Sequence, residues 1–179
     1  MTRNTLEIPR STCRLFGTVK ALSTIQRSAM IVHGPKGCVY HINYILGMRG
    51  DRPGAIYTTS LGEQDVIFGA GGKLSAAIEE LDRRLSPDLI FVLSCCASSI
   101  IGEDVEAASR EARCRARVIG FESGGFEGEH HTAYGETLAR LAEAEPEGGA
   151  ALARAQDHQP ARHRGHGREQ HRESEPRRR

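Results

Sequence analysis

The sequence has no apolar run close to the roughly 20 residues that a membrane-spanning helix requires. Its start, Met1-Thr-Arg-Asn-Thr-Leu-Glu7, also lacks the apolar core of a secretory signal. Neither sign of charge dominates, because 24 lysines and arginines oppose 23 aspartates and glutamates. No global field therefore favours a nucleic acid or an anionic membrane as a partner. These absences predict a cytoplasmic protein that binds neither nucleic acid nor membrane.

Large aliphatic and aromatic residues are absent after Leu152. The residues that follow are charged, polar or small, and such a composition cannot bury a core. Because 179 residues suffice for one α/β domain and a tail, we expect one domain over residues 1–143 and a disordered tail over residues 144–179. The abrupt change near residues 144–149 also fits a frameshifted translation of a GC-rich gene, and both explanations stay open.

Cysteine is scarce and its count is odd, since the chain has five. In a reducing compartment, thiols serve as metal ligands, nucleophiles or small buried residues more often than as disulfides. Cys38 lies 25 residues after Cys13 (38 − 13), and Cys96 lies 58 residues after Cys38 (96 − 38). These separations are unlike the short spacing of ferredoxin or zinc-ribbon ligands. Spacing alone therefore identifies no site.

Short β-rich segments alternate along the chain with segments whose apolar residues have helical spacing. Strands are predicted at residues 29–33, 55–59, 88–94 and 116–121, and helices at residues 11–25, 39–46, 73–85, 103–114 and 129–141. Such alternation is typical of an α/β fold with a doubly wound, mostly parallel sheet. The fold class is predicted accordingly, with the tail outside the sheet.

Two of the predicted strands end in turns that carry cysteine. The first is followed by Gly34-Pro-Lys-Gly-Cys38, and the third by Cys95-Cys-Ala-Ser-Ser99. In doubly wound sheets, ligands bind beyond the carboxyl ends of the strands. Cys38 and Cys96 are therefore expected at the edge of the sheet where a ligand would bind.

The residues around these cysteines form motifs with a definite resemblance. His33-Gly-Pro-Lys-Gly-Cys38 resembles the His-Gly-Pro-x-Gly-Cys cluster motif of the nitrogenase component 1 superfamily. Thr58-Thr-Ser-Leu-Gly-Glu-Gln-Asp-Val-Ile-Phe-Gly69 resembles its Thr-x-x-x-x-Glu-x-Asp-Ile-Val-Phe-Gly segment. Ser94-Cys-Cys-Ala-Ser-Ser-Ile-Ile-Gly-Glu-Asp-Val105 resembles its Ser-x-Cys-Pro-x-x-x-Ile-Gly-Asp-Asp-Ile segment, with Ala97 in place of the proline. Gly128-Glu-His-His131 matches a family His-His pair, so the resemblance covers about residues 11–141.

The resemblance implies that Cys13, Cys38 and Cys96 bind an iron–sulfur cluster, either 4Fe-4S or P-cluster-like, at a subunit interface. Cys95 falls on a non-ligand position of the motif and ranks second, together with His33 and His41. The implied partners are a homologous component 1-type subunit, in a homo- or heterodimer, and an ATP-dependent iron–sulfur reductase. Family members have three α/β domains, of which this chain carries the first.

The implied function is that of an iron–sulfur subunit of a nitrogenase-like oxidoreductase, relaying low-potential electrons to a substrate. Residues 33–42 resemble the nitrogenase-like reductases typified by Ni-sirohydrochlorin a,c-diamide reductive cyclase. Neither Ile45 nor Leu46 matches the arginine that authentic nitrogenase carries near its cofactor, which argues against dinitrogen as the substrate. The resemblance identifies no catalytic residue.

Several alternatives stay open beside this interpretation. The chain could be a non-catalytic scaffold for cluster or cofactor assembly, or a truncated relic of the same family. It could also be a flavodoxin-like or periplasmic-binding-like module whose cysteines are inert. The glycines of residues 34–37 and 69–72 could cradle a phosphate, although neither segment has P-loop or GxGxxG spacing and plain loops are favoured.

Overall fold

The structure is a computed structural model that describes residues 12–50, 55–124 and 128–144. Within these ranges, four strands in chain order form one sheet: β1 (Ser28–His33), β2 (Ala55–Thr58), β3 (Leu89–Ser94) and β4 (Arg117–Phe121). The spatial order is β2-β1-β3-β4, and every neighbouring pair is parallel. The predicted α/β class and parallel sheet are confirmed.

Seven helices accompany the strands in the described ranges: α1 (Arg14–Leu22), α2 (Lys36–Met48), α3 (Glu63–Phe68), α4 (Gly71–Leu85), α5 (Cys96–Ile100), α6 (Val105–Glu111) and α7 (His130–Ala144). None of them combines the length and the apolar character needed to cross a membrane. The tail predicted over residues 144–179 lies outside the described residues except for its first position, so the domain end and the disorder stay predictions.

The two central strands explain why the sheet is covered on both faces. In β1 and β3, every residue except the first is buried. Along β1, Met30 and Val32 pack into one apolar cluster, whereas Ala29 and Ile31 pack into another. This alternation follows from the two-residue period of a strand. Helices α1, α2 and α7 contribute to the first cluster, and α4 and α6 contribute to the second.

One local prediction was wrong. Residues 95–99 were expected to form a turn, but a one-turn helix, α5, begins at Cys96. The backbone N–H of Cys95 donates to Ser98 Oγ at 2.8 Å, and that hydroxyl lies 3.1 Å from the carbonyl oxygen of Cys95. Ser98 thus satisfies backbone groups at the start of the helix, which is how serine stabilises a helix terminus.

Helix α3 was not predicted, and its exposure explains why. None of its residues is buried, and Val66, Ile67 and Phe68 are consecutive exposed apolar residues. Consecutive apolar residues do not give the helical period on which sequence-based assignment depends. The helix is held at its start by Asp65, whose carboxylate accepts from the N–H of Gly62 at 2.7 Å.

Candidate metal centre

The carboxyl ends of β1 and β3 bring two cysteine-bearing segments side by side. The strands are neighbours, and His33 is paired in register with Ser94. Cys38 lies in the first turn of α2, after β1, whereas Cys96 begins α5, after β3. Strand order reverses between these two strands, and such switch points are where doubly wound folds bind ligands. The predicted placement of Cys38 and Cys96 at this edge is confirmed.

Cys13 reaches the same region from a different part of the fold. It precedes α1, and its backbone forms an isolated antiparallel bridge with Glu129, just before α7. Helices α1 and α7 pack so closely that a Cβ added at Gly17 would lie 2.0 Å from the carbonyl oxygen of His130. The position of Cys13 therefore depends on a contact between the two ends of the domain.

Three other cysteines act on the electrostatics of Cys38. The pKa of Cys38 is raised first by a side-chain hydrogen bond with Cys95, then by burial, and further by the charges of Cys95, Cys13 and Cys96. Nearby thiolates disfavour a further negative charge, and this repulsion raises the pKa. A positive cluster iron would relieve the same repulsion. We name these four residues, Cys13, Cys38, Cys95 and Cys96, the cysteine edge.

Members of the cysteine edge differ in how they face solvent. Cys13 is exposed, and Cys38 and Cys96 are half-buried. Cys95 is 1 % exposed and belongs to the apolar core. Its Sγ lies 3.4 Å from the carbonyl oxygen of His33, to which the thiol donates a hydrogen bond. The structure therefore directs the Cys95 side chain into the core.

The pKa of Cys95 shifts opposite to that of Cys38. A hydrogen bond from Cys38 is the largest cause, opposed by burial, and hydrogen bonds from Ser98 and the N–H of Ala97 lower it further, to about 6. Hydrogen bonds to the charged form of a thiol favour the thiolate. The interaction between the two thiols therefore raises the pKa of Cys38 and lowers that of Cys95.

His33 is fully buried and its ring has two identified neighbours. Nδ1 lies 3.0 Å from Thr59 Oγ1, which also accepts from the N–H of Gly34 at 3.2 Å. The hydroxyl of Thr59 thus contacts both the His33 ring and the backbone of Gly34, and on the other side of the ring Nε2 lies 3.8 Å from Glu103 Oε2. Burial is the main cause that lowers the pKa of His33, opposed by Glu103. The ring therefore lies between Thr59, which it contacts at hydrogen-bond distance, and Glu103, which it does not.

Sequence reasoning missed Thr59 and Glu103 as the neighbours of His33. Glu103 Oε1 also accepts from the N–H of Ala70 at 2.6 Å, so it links the start of α4 to the end of β1. Both residues lie inside motifs that the sequence displays, but a motif does not say which side chains face each other. His41, the other second-ranked histidine, is exposed on α2.

His130 and His131 line a separate basic cavity of about 500 Å³. Their ring centroids are 3.7 Å apart, and Lys20 and Arg49 complete the basic lining. Burial lowers the pKa of His130, and the charges of His131 and Arg49 lower it further. The resemblance indicated the two histidines, but no pattern in the sequence indicated Lys20 or Arg49.

The donor set of the cysteine edge fits an iron–sulfur cluster by its chemistry, because soft thiolates are the ligands such clusters take. In the part of the chain that the structure describes, no three His, Cys, Asp or Glu side chains converge on a position for a single metal ion. A cluster does not require ligands that converge on one point, because its thiolates bind separate iron atoms.

Comparison with known proteins identifies relatives of the whole described domain. The family model for nitrogenase component 1 type oxidoreductases matches residues 13–164. Component CfbD of the Ni-sirohydrochlorin a,c-diamide reductive cyclase complex of Methanothermobacter thermautotrophicus is 38% identical over 131 residues, which is 73% of this chain and 36% of that protein. The nitrogenase molybdenum-iron protein beta chain of the same organism is 32% identical over 147 residues, or 76% of this chain and 32% of that protein.

A third relative is named for a different role. The nitrogenase iron-molybdenum cofactor biosynthesis protein NifE of Clostridium pasteurianum is 36% identical over 135 residues, which is 71% of this chain and 29% of that protein. The chain thus spans about a third of the length of these curated relatives. Among solved structures, nitrogenase Cp1 at pH 6.5 has a TM-score of 0.70 at 24% identity, over 80% of this chain and 33% of that one.

These findings agree with the motifs from which the resemblance was drawn. The family model begins at Cys13 and includes Cys38, Cys95 and Cys96, and the structural match supports the same fold. The chain belongs to the nitrogenase component 1 type oxidoreductase family.

Proposed function

We propose that this chain is an iron–sulfur-cluster-binding subunit of a nitrogenase-like oxidoreductase. In this role it relays low-potential electrons from an ATP-dependent iron–sulfur reductase to a substrate bound elsewhere in the complex. The observation that carries the proposal is the cysteine edge. Three motif cysteines, of which Cys13 precedes α1, Cys38 lies in α2 and Cys96 begins α5, interact electrostatically near the strand ends where this type of sheet binds ligands.

Cys13, Cys38 and Cys96 would hold the cluster, either 4Fe-4S or P-cluster-like. When bound, the cluster supplies one-electron transfer at low potential. The chain contributes the ligands and their surroundings: β1 and β3 fix Cys38 and Cys96 through parallel pairing, and Cys95 places a buried thiol against Cys38. Burial and hydrogen bonds to sulfur are the means by which a protein adjusts a cluster potential.

An exposed apolar surface supports the proposed subunit partner. Tyr40, Tyr44 and Met48 recur every four residues along α2 and are 74%, 57% and 72% exposed. The two tyrosine rings stack, with centroids 6.5 Å apart. Contiguous exposed apolar residues mark interaction surfaces, and this stripe begins two residues after Cys38. We assign it to a homologous component 1-type subunit, which would also supply the remaining ligands.

A second candidate function is a scaffold that assembles a cluster or cofactor and passes it on. The similarity to NifE, whose name describes cofactor biosynthesis, favours this alternative. Both functions use the same cysteines, but they differ in what leaves the protein. A relay gives up electrons and keeps its cluster, whereas a scaffold gives up the cluster itself.

The test is anaerobic reconstitution of the full chain with iron and sulfide, alone and with a candidate second subunit. The relay function predicts bound iron and acid-labile sulfide, visible charge-transfer absorption, and an EPR signal that an ATP-dependent reductase elicits only when ATP is present. Transfer of the iron to another component 1-type protein, without ATP-dependent reduction, would instead establish the scaffold. Failure to bind iron under either condition would reject both.

A further inference from the structure

The glycine-rich start of α4, one of the two candidate phosphate cradles in the sequence, holds a carboxylate from another part of the chain. Oε1 of Glu103 accepts from the N–H of Ala70, the residue before α4, at 2.6 Å. A Cβ added at Gly69 would lie 3.6 Å from Oε1, and one added at Gly71 would lie 3.6 Å from Oε2. The carboxylate of Glu103 therefore lies against the backbone on both sides of Ala70.

The start of α4 suits a negative charge. The helix has 15 residues, and the free N–H groups and dipole of a helix N-terminus attract anions. Ala70 provides no side-chain cap of its own. The chain enters this position through Gly69, whose φ of +87° lies in the region that favours glycine. Glu103 thus supplies from a distance the acceptor that the local sequence lacks.

A buried nitrogen from a different element faces the same carboxylate. The His33 side chain is fully buried, and its Nε2 has no hydrogen-bond partner among the described residues. Glu103 Oε2 lies 3.8 Å from this nitrogen. A buried polar atom without a partner is costly, and an ionised carboxylate, which only accepts hydrogen bonds, is the acceptor on this side of the ring. The end of β1 and the start of α4 therefore face one carboxylate.

This carboxylate is one residue away from the cysteine edge. The carbonyl oxygen of His33 accepts a hydrogen bond from the thiol of Cys95 at 3.4 Å. His33 is therefore in contact with Cys95 through its backbone, and its ring lies beside Glu103. A change at Glu103 can reach Cys95 through this single residue.

We propose that the start of α4 and His33 form a carboxylate-binding site, that Glu103 is its resident ligand, and that the bound carboxylate positions the end of β1 against Cys95. Glu103 is then a positioning residue, since it acts on Cys95 through His33. Every contact lies within this chain, so the site does not depend on the proposed function.

The experiment removes the carboxylate and returns it from solution. Glu103→Ala deletes one methylene carbon and the carboxylate, which together have the size of acetate. Thermal unfolding of the full iron-free chain is measured under anaerobic, reducing conditions in sodium acetate or sodium chloride at equal ionic strength. The midpoint should fall by about 4 °C, the usual effect of losing one helix cap in a domain of this size. Acetate, and not chloride, should restore most of the loss with a saturable dependence on concentration.

Two further variants define the site. Asp104→Ala is the matched control, because Asp104 also caps a helix, accepting from the N–H of Ala107 at 2.8 Å, but is exposed. Acetate should not rescue it. Glu103→Gln keeps the size of the side chain and an acceptor for Ala70 but removes the charge. It should be less stable than the parent and gain nothing from acetate, because the space stays filled.

Alkylation of Cys95 by iodoacetamide, followed by peptide mass spectrometry, tests the positioning role. The parent should react slowly, since Cys95 is buried. The rate should rise several-fold in Glu103→Ala, fall again when acetate is added, and stay at the parental value in Asp104→Ala. An unchanged rate in a destabilised Glu103→Ala chain would overturn the positioning of Cys95.

Equal rescue by acetate and chloride, or equal rescue of Asp104→Ala, would overturn the site. A Glu103→Ala chain that folds only in acetate would support it. If Glu103→Ala stays unfolded in acetate, Glu103→Gln decides: parental stability overturns the need for a charge, and a lower midpoint that acetate does not change supports it.

Discussion

The two ends of the sheet differ in how fully their polar groups find hydrogen-bond partners within the described residues. At the amino end, before β4, Asp82 accepts from the N–H groups of Arg115 and Ala116, each at 3.0 Å. Cys114 lies there too, and its thiol donates to the carbonyl oxygen of Ala116 at 3.3 Å. Polar groups at this end find partners nearby within the chain, as expected of a region that serves stability.

At the carboxyl end, several side chains are exposed or lack a partner among the described residues. The cysteine edge contains four thiols, and a negative charge on any of the other three raises the pKa of Cys38. At the same end of the sheet, Tyr40 and Phe68 are largely exposed, and Nε2 of His33 has no hydrogen-bond partner among the described residues. Unsatisfied groups lower stability unless something binds them. We infer from this difference that the amino end of the sheet stabilises the fold, whereas the carboxyl end binds a ligand and a partner.

The largest expected effect on the carboxyl end comes from Gly34→Ala. The new Cβ would approach Cys95 Sγ to 2.4 Å, so Cys95 must leave its rotamer and its hydrogen bond to the carbonyl oxygen of His33. We expect a loss of about 2 kcal/mol of unfolding free energy, the usual range for overpacking, measured by urea denaturation.

Gly37→Ala is the matched control, in the same turn and three residues further on. No atom lies within 4 Å of a Cβ added at Gly37, and the residue is already helical. Alanine should therefore leave stability unchanged or raise it by about 0.5–1 kcal/mol. Equal losses in the two variants would show that the space over Gly34 is not what positions Cys95.

A smaller effect is expected from Asp82→Asn at the amino end, and it should depend on pH. Hydrogen bonds from the backbone of Arg115 are the main cause that holds the pKa of Asp82 below its ordinary value of about 3.9. A lowered folded-state pKa contributes stability above the ordinary pKa, and this stability is lost as the pH falls through the folded pKa. The variant should therefore be less stable than the parent at pH 7, with a difference that shrinks below about pH 4.

Thermal unfolding of parent and variant across this pH range measures the effect. Glu80→Gln, on the exposed face of the same helix, is the control, since its pairing with Arg84 is a surface contact. A pH-independent difference between parent and Asp82→Asn would mean that the carboxylate is not what stabilises the start of β4.

Much of the carboxyl end was predictable from the sequence. The runs that form β1 and β3 are apolar enough to identify buried parallel strands, and the segment after each strand carries Cys38 or Cys96 to the ligand-binding edge. The family motifs placed Cys13, Cys38 and Cys96 ahead of Cys95 as candidate cluster ligands. These predictions succeeded because strand ends and glycine-bearing turns are local properties of the sequence.

The parts that could not be predicted depend on contacts between distant residues. Nothing local tells which of Cys95 and Cys96 turns inward, because that depends on the space over Gly34. The approach of Cys13 depends on the packing of Gly17 against α7, more than 100 residues later. Helix α3 has no buried face and therefore no period to detect.

The most direct test of the account compares iron content and thermal stability in Cys38→Ala, Cys96→Ala and Cys114→Ala after anaerobic reconstitution of the full chain. The account predicts that the first two lose most of the bound iron and remain folded, whereas Cys114→Ala keeps its iron. Iron retained in Cys38→Ala and Cys96→Ala, or lost equally in Cys114→Ala, would contradict the assignment of the cysteine edge as the cluster site.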